Sequence, residues 1–212
     1  MIFKKIISSS LVLGLFFSGC ATLNLETKVK MTNSIWLKPT VAEKKSVYIQ
    51  FKNTSGEDFN LVPAIKENLL KKGYIVVENP NKAKYVLMVN ILFANNLKEA
   101  NAIKVAGNTG AVTAIIASGS GSSTRDSLLV GATFALASGL ASSALEDETY
   151  RAVVDVVIDE KTDDTDEKGI MGDGYKEQKT RIFAEAVRAD LKLKEALPVL
   201  QKKIATQIAN IF

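Results

Sequence analysis

Cys20 is the only cysteine in 212 residues, and it stands directly behind Phe16-Phe17-Ser18-Gly19 at the end of an apolar run. A thiol can pair with another thiol, bind a soft metal, attack a carbonyl or accept a lipid. No second cysteine is present for an internal disulfide. No histidine is present either, which removes Cys-His and Ser-His-Asp arrangements and the usual zinc sets. Other candidates for chemistry are weak. Gly119-Ser120-Gly121 has no lysine behind it to meet a phosphate. Asp164, Asp166 and Gly169 have the spacing of a calcium loop. However, Lys168 takes a ligand position, and Tyr175 stands where a bidentate glutamate is needed. Residues 159–174 are read instead as a solvated acidic loop. The expectation is a non-enzyme with no catalytic residue, no cofactor and no metal. A lone thiol at that offset has little use other than acylation, the alternative being an incidental cysteine behind an ordinary secretory signal.

What positions Cys20 is a leader. Lys4 and Lys5 form a short basic region, residues 6–17 are apolar apart from Ser8, Ser9, Ser10 and Gly14, and Ser18 and Gly19 are small. The run is shorter than the ~20 apolar residues of a spanning helix. Ending on Gly-Cys, it resembles a bacterial lipoprotein signal, in which the cysteine accepts a diacylglycerol and becomes the first residue; Phe17 stands where leucine is usual. Several acyl chains anchor stably where one does not. Ala21 replaces the aspartate of the inner-membrane retention signal, which points to the outer membrane. Without residues 1–19 the net charge falls from +4 to +2, too little to argue for nucleic acid.

The rest must hold whatever Cys20 tethers. Apolar residues make up 47 % of the chain, enough for a packed core. Residues 20–30 are read as a lipidated tether. Residues 31–104 and 146–212 are read as one α+β periplasmic domain, a small mixed sheet with flanking helices. Val47, Ile49 and Phe51 alternate with polar residues, as in a half-buried strand. Asn60 is placed to cap a helix carrying Leu61, Ile65 and Leu69, with Pro63 in its first turn and Gly73 at its end. Residues 74–77 form a short strand. Residues 85–93 form a central strand covered on both faces, and residues 153–158 another strand. Residues 180–187 are ambiguous by period. They are read as a strand, although Glu185 and Arg188 also suit a helix. Leu197, Leu200, Ile204, Ile208 and Ile211 make one apolar stripe on a final helix, with Pro198 expected in its first turn.

Between the halves lies an apolar insertion, residues 105–145. No charged residue occurs in 105–124 or in 127–145; only Arg125 and Asp126 interrupt, inside the polar tip 118–127. Ala106, Gly110, Ala114 and Ser118 recur every four residues, as do Gly131, Ala135, Gly139 and Ser143. On helices these form small-residue stripes that let backbones approach closely. The insertion is read as an apolar helical hairpin, membrane-inserted or oligomerising, with Arg125 and Asp126 at an exposed tip. Each arm is shorter than the ~20 residues of a full bilayer crossing, which implies a thin membrane or partial insertion.

Four stretches carry a family resemblance: "NLETKVKMTNSIWLKPT" (24–40), "VYIQFKNTS" (47–55), "KGYIVVENPNKAKYVLMVNIL" (72–92) and "LKLKEALPVLQKKIATQIANIF" (191–212). Together with the Gly/Ala-rich arms they resemble the TraT family, outer-membrane lipoproteins of conjugative plasmids linked to surface exclusion and complement resistance. The tip and the acidic loop look shorter than in plasmid members. The resemblance implies a lipid-anchored protein of the Gram-negative outer membrane that blocks mating-pair contact or DNA entry between like cells, or complement action. The implied partners are outer-membrane lipid, further copies of the chain, and a conjugative pilus or mating-pair outer-membrane proteins, with no nucleic acid. The alternative function is an oligomeric outer-membrane pore or secretion accessory. The arms carry few polar groups beyond Asn108, Thr109 and Thr113, which favours a plug or anchor over an open conduit.

Overall fold

The computed structural model of the chain describes residues 24–42, 45–96, 147–163 and 166–212. Eight strands and two helices follow in order: β1 (Glu26–Met31), β2 (Ser46–Asn53), α1 (Val62–Lys71), β3 (Ile75–Val76), β4 (Tyr85–Asn96), β5 (Asp147–Lys161), β6 (Lys168–Gly169), β7 (Gly172–Asp173), β8 (Tyr175–Ala189) and α2 (Leu193–Ala209). Six of the strands form a mixed sheet in the order β1-β8-β5-β4-β2-β3, and β6 and β7 pair as a separate small hairpin. β2 is parallel to both β3 and β4, and the other neighbours are antiparallel. The expected α+β mixed sheet with flanking helices is present. Residues 105–145, the expected helical hairpin, lie outside the described residues, between β4 and β5.

α1 and α2 lie on one face of the sheet, and the alternation of β4, β5 and β8 builds the core beneath them. Leu87, Val89 and Ile91 on β4, Val154, Val156 and Ile158 on β5 and Ile182, Ala184 and Ala186 on β8 meet Ile65 and Leu69 of α1 and Leu200, Ile204 and Ile208 of α2. Each large aliphatic side chain so buried stabilises the fold by about 1.5–3 kcal/mol. The expected Asn60 cap is displaced: the N-cap of α1 is Leu61, without a side-chain capping bond, and Asn60 stands one residue earlier, its Oδ1 accepting from Val62 N–H at 3.0 Å in an Asx turn. Gly73 ends α1 at φ +81°, a conformation that favours glycine.

Three further expectations change. The tether stops at residue 25, because residues 26–31 form the edge strand β1, paired with β8 from Glu26↔Val187 to Met31↔Ile182. Its lysines (Lys28 and Lys30) suit an exposed edge, where charge discourages pairing with another chain. Pro198 is not in the first turn of the final helix. α2 begins at Leu193, so Pro198 lies inside it. The proline sits on the exposed side, where water can take the carbonyl released by the missing N–H. Finally, the stretch 159–174 is not loop throughout. β5 runs on to Lys161, and β6 and β7 form a hairpin closed against the sheet.

Six strands at ~4.8 Å spacing are wider than two helices at ~10 Å each can cover. The thinly covered strip is β1, whose Val29 and Met31 still pack against the core. A groove of about 830 Å³ runs between Thr27 and Val29 of β1 and the flank of α2 at Val199, Lys203 and Thr206.

Candidate membrane-facing end of the sheet

Cys20, both small-residue stripes, Arg125 and Asp126 lie outside the described residues; what the fold fixes is where their neighbours leave the sheet. Glu26 opens β1 opposite Val187, Val187 stands opposite Thr149 on β5, and Asn96 closes β4 opposite Tyr150. The start of β1, the end of β4 and the start of β5 therefore share one end. The chain that follows Cys20 and both ends of the 97–146 stretch meet the domain there. Glu26 is six positions on from Cys20, and an extended chain of that length spans at most ~20 Å.

From that end a ladder of cross-strand pairs runs down the sheet face opposite the helices. Arg151 Nε donates to Glu185 Oε1 at 2.7 Å, and the pair is buried, with 5 % and 2 % exposure. Val153 stands opposite Phe183, both buried. Asp155 follows, accepting two hydrogen bonds from Arg181 at 2.5 and 2.9 Å. On β4, Asn95 Nδ2 donates to Glu57 at 2.8 Å, while Asn96, opposite Tyr150 on the helix side, donates its Nδ2 to Glu148 at 2.5 Å. A buried Arg–Glu pair costs much desolvation, so single removal of either partner is expensive while joint replacement is not.

The ladder ends at Asp159, fully buried opposite Glu177. Its Oδ2 accepts from Met171 N–H at 2.7 Å. Gly169 passes so close that a Cβ there would stand 2.7 Å from the same oxygen. Burial pushes the Asp159 carboxyl above its ordinary range; the Met171 and Ile170 N–H groups and Lys179 pull it down, and Glu177 pushes it up. Asp159 thus clamps the β6–β7 hairpin to the sheet.

Next to it, and on the helix side, Glu160 is also fully buried. Its Oε2 accepts from Lys38 N–H at 3.3 Å. Lys84 Nζ stands 3.4 Å from Oε1, within ion-pair range but without hydrogen-bond geometry. Tyr85 donates its hydroxyl to Lys38 C=O at 3.1 Å, and its phenol is pushed well up, first by burial and then by Glu160 and Tyr74. Glu160 and Tyr85 are both closed to solvent, so no substrate reaches them, and their bonds serve to pin residues 32–38 across the distal end of the sheet. Thr180 binds Asn33 through its hydroxyl at 2.9 and 3.2 Å. Gln178 clasps the Trp36 backbone twice, accepting from N–H at 3.1 Å and donating to C=O at 2.9 Å.

Of the calcium-loop residues, Asp164 is outside the described residues and Gly169 is stacked on Asp159. Among the described residues no three Cys, Asp or Glu side chains are placed to hold a metal ion. No described helix is long and apolar enough to cross a membrane. The Arg151–Glu185 pair escaped sequence reading because its members are 34 residues apart and only the β5–β8 register joins them. The sole signal was an out-of-place charge, Glu185, in an otherwise apolar strand.

A family model described as the enterobacterial TraT complement resistance protein matches residues 24–172 and 168–212. The chain belongs to the TraT family. A TraT complement resistance protein of Escherichia coli is 34 % identical over 243 residues, covering 100 % of this chain and 97 % of the relative. A TraT relative from Wigglesworthia glossinidia brevipalpis is 37 % identical over 91 residues, 39 % of this chain. Among solved structures, a minor lipoprotein from Acinetobacter baumannii is 12 % identical, covering 81 % of this chain and 91 % of that one, at a TM-score of 0.38. At that score the likeness bears no functional weight, and the TraT assignment rests on sequence.

Proposed function

We propose that this TraT-family protein is a non-enzymatic outer-membrane lipoprotein, acylated on Cys20, that blocks contact at the cell surface. The blocked contact is mating-pair formation or DNA entry between like cells, or complement deposition. The 105–145 arms enter the outer membrane, Arg125 and Asp126 hold the tip in water, and the sheet domain stays periplasmic. The observation that carries this reading is the shared sheet end: the chain from Cys20 and both ends of the apolar stretch converge there, within ~20 Å of the lipidated residue. Charged groups avoid hydrocarbon at ~2.5–3.5 kcal/mol each on insertion scales, which keeps Arg125 and Asp126 at the turn. Copies associate partly through the small-residue stripes.

The test combines anchoring, topology and activity. Cys20→Ser should leave the outer-membrane fraction after alkaline washing. With Cys20 kept, Ser122→Cys should react with an impermeant maleimide on intact cells, and Asp163→Cys at the far end only after rupture. Cells making the wild-type chain should receive conjugative DNA less often, or survive serum better, than cells without it. Labelling of Ser122→Cys only after rupture would overturn the topology. Unchanged transfer and unchanged serum survival would overturn the function.

A further inference from the structure

β4 carries one residue more than its partner β5 matches. Ile91 stands opposite Val154 and Phe93 opposite Val153, so Leu92 is an extra residue in the register, a β-bulge. It lies where β4 parts from β2. Asn53, the last residue of β2, stands opposite Ile91. Thr54 turns away there, donating its N–H at 2.8 Å and its hydroxyl at 2.9 Å to the Ile91 carbonyl. Beyond the bulge, Phe93, Ala94, Asn95 and Asn96 keep β5 as their strand neighbour, opposite Val153, Ala152, Arg151 and Tyr150.

The bulge does not decide which side chains face the core. Ile91 and Ala94 pack under the helices, and Phe93 and Asn95 share the other face with Val153 and Arg151. Removing Leu92 would join Ile91 to Phe93, and the alternation between the two faces would run on unbroken. What an extra residue adds is a bend and a sharper right-handed twist in the strand that carries it. The bent end is tied on two sides. Asn95 Nδ2 donates to Glu57 of the 54–61 connection at 2.8 Å, and Asn96 Nδ2 donates to Glu148 of β5 at 2.5 Å. Asn95 Oδ1 accepts from Asn96 N–H at 2.7 Å, which joins the two ties.

We infer that the Leu92 bulge, with Asn95 and Asn96, is a positioning element that aims the 97–146 stretch as it leaves the sheet. Asn96 is the last residue of β4, so the direction of its backbone is the direction in which that stretch starts. A bend just before it turns this direction relative to β5 and to the Cys20 tether on β1. The part that aim plays at the cell surface rests on the proposed reading that the 105–145 arms enter the outer membrane.

The experiment uses the full acylated chain with Leu92 deleted. Its circular dichroism and denaturation midpoint should stay close to wild type, because every pair of β4 with β5 survives. Spin labels at Lys52→Cys on β2 and Lys98→Cys, two positions past Asn96, report the exit direction by double electron–electron resonance in detergent. With Cys20 acylated, only the two introduced thiols take the label. The deletion should shift the main distance. Asn95→Ala, which cuts the tie to Glu57 and keeps the bulge, should broaden it. On intact cells, the deletion should keep lipid on Cys20 and lose the maleimide labelling of Ser122→Cys together with the block of conjugative transfer or serum killing. A folded deletion variant with the wild-type distance overturns the positioning role. If the deletion does not fold, a wild-type distance distribution in Asn95→Ala overturns it equally. A shifted distance with labelling, transfer and serum survival all unchanged overturns the role of aim at the surface. If Ser122→Cys of the otherwise wild-type chain reacts only after rupture, the membrane reading fails by itself, and the distance in detergent still decides whether the bulge aims the stretch.

Discussion

The two faces of the sheet are built on different rules. The face under α1 and α2 is filled mainly by apolar side chains of the strands and both helices, and among the described residues the one fully buried charge on it is Glu160, at the far end. The opposite face alternates apolar rungs with ion pairs: Arg151–Glu185, then Val153–Phe183, then Asp155–Arg181, ending at the buried Asp159. Non-directional burial makes the first face stable over many near-equivalent packings. Directional pairs make the second face intolerant of a shifted register, because a slip of one residue would bury Arg and Glu against aliphatic neighbours. The helix face thus supplies free energy, and the ladder fixes which residues of β5 and β8 stand opposite one another.

The largest expected effect tests that division directly. Glu185→Leu takes from the buried Arg151 the carboxylate that it bonds at 2.7 Å and should cost about 4 kcal/mol by chemical denaturation. Arg151→Met combined with Glu185→Leu should recover to within about 1 kcal/mol of wild type. If the double variant stays as unstable as the single, the ladder contributes stability of its own and the contrast between the faces fails. On the helix face, Ile204→Ala should cost about 3 kcal/mol, with no rescue from any charge change. Gly169→Ala should cost about 2 kcal/mol, because its Cβ would meet the Asp159 carboxylate at 2.7 Å. Combining it with Asp159→Ala should relieve the clash, which denaturation of the single and double variants would register.

The smallest effect is a pH dependence. The folded chain holds the Asp159 proton more tightly than the unfolded chain, since burial raises its carboxyl above the ordinary 3.8. Its contribution to stability is therefore full below 3.8 and declines as pH rises from there through the raised value. Asp159→Asn should remove that decline, so the difference in stability between wild type and variant should fall with rising pH across this window. A pH-independent difference would separate the Asp159 clamp from titration.

Much of the fold was legible because burial leaves a period. The alternation at Val47, Ile49 and Phe51, the continuous apolar run from Tyr85, and the stripe Leu200, Ile204, Ile208 each gave the right element. What was not legible depends on contacts between distant residues. β1 reads as a polar tether because Lys28 and Lys30 interrupt Val29 and Met31, and only pairing with β8 makes it a strand. Residues 180–187 read as a strand and lie in β8, but their period stays ambiguous in sequence because Glu185 is a buried charge, costly until its partner 34 residues earlier is known. Pro198 misplaced the start of α2, since a proline inside a helix is tolerated only where the released carbonyl meets water, and exposure is a tertiary fact. The shared end of the sheet was half legible. Cys20 and the uncharged arms stand out in the sequence, but the strand register alone brings their attachment points together.

β5 and β8 are each 15 residues long, and at ~3.3 Å per residue such a ribbon measures about 50 Å. Under the proposed acylation of Cys20, this ribbon would act as a ruler for the height of Trp36 and the acidic hairpin above the lipid. The number of rungs sets that height, and the tether length has little part in it. Deleting one facing pair of residues from each of the two strands would invert every side chain beyond the cut. Deleting two would keep every side chain on its own face and lower the far end by about 7 Å.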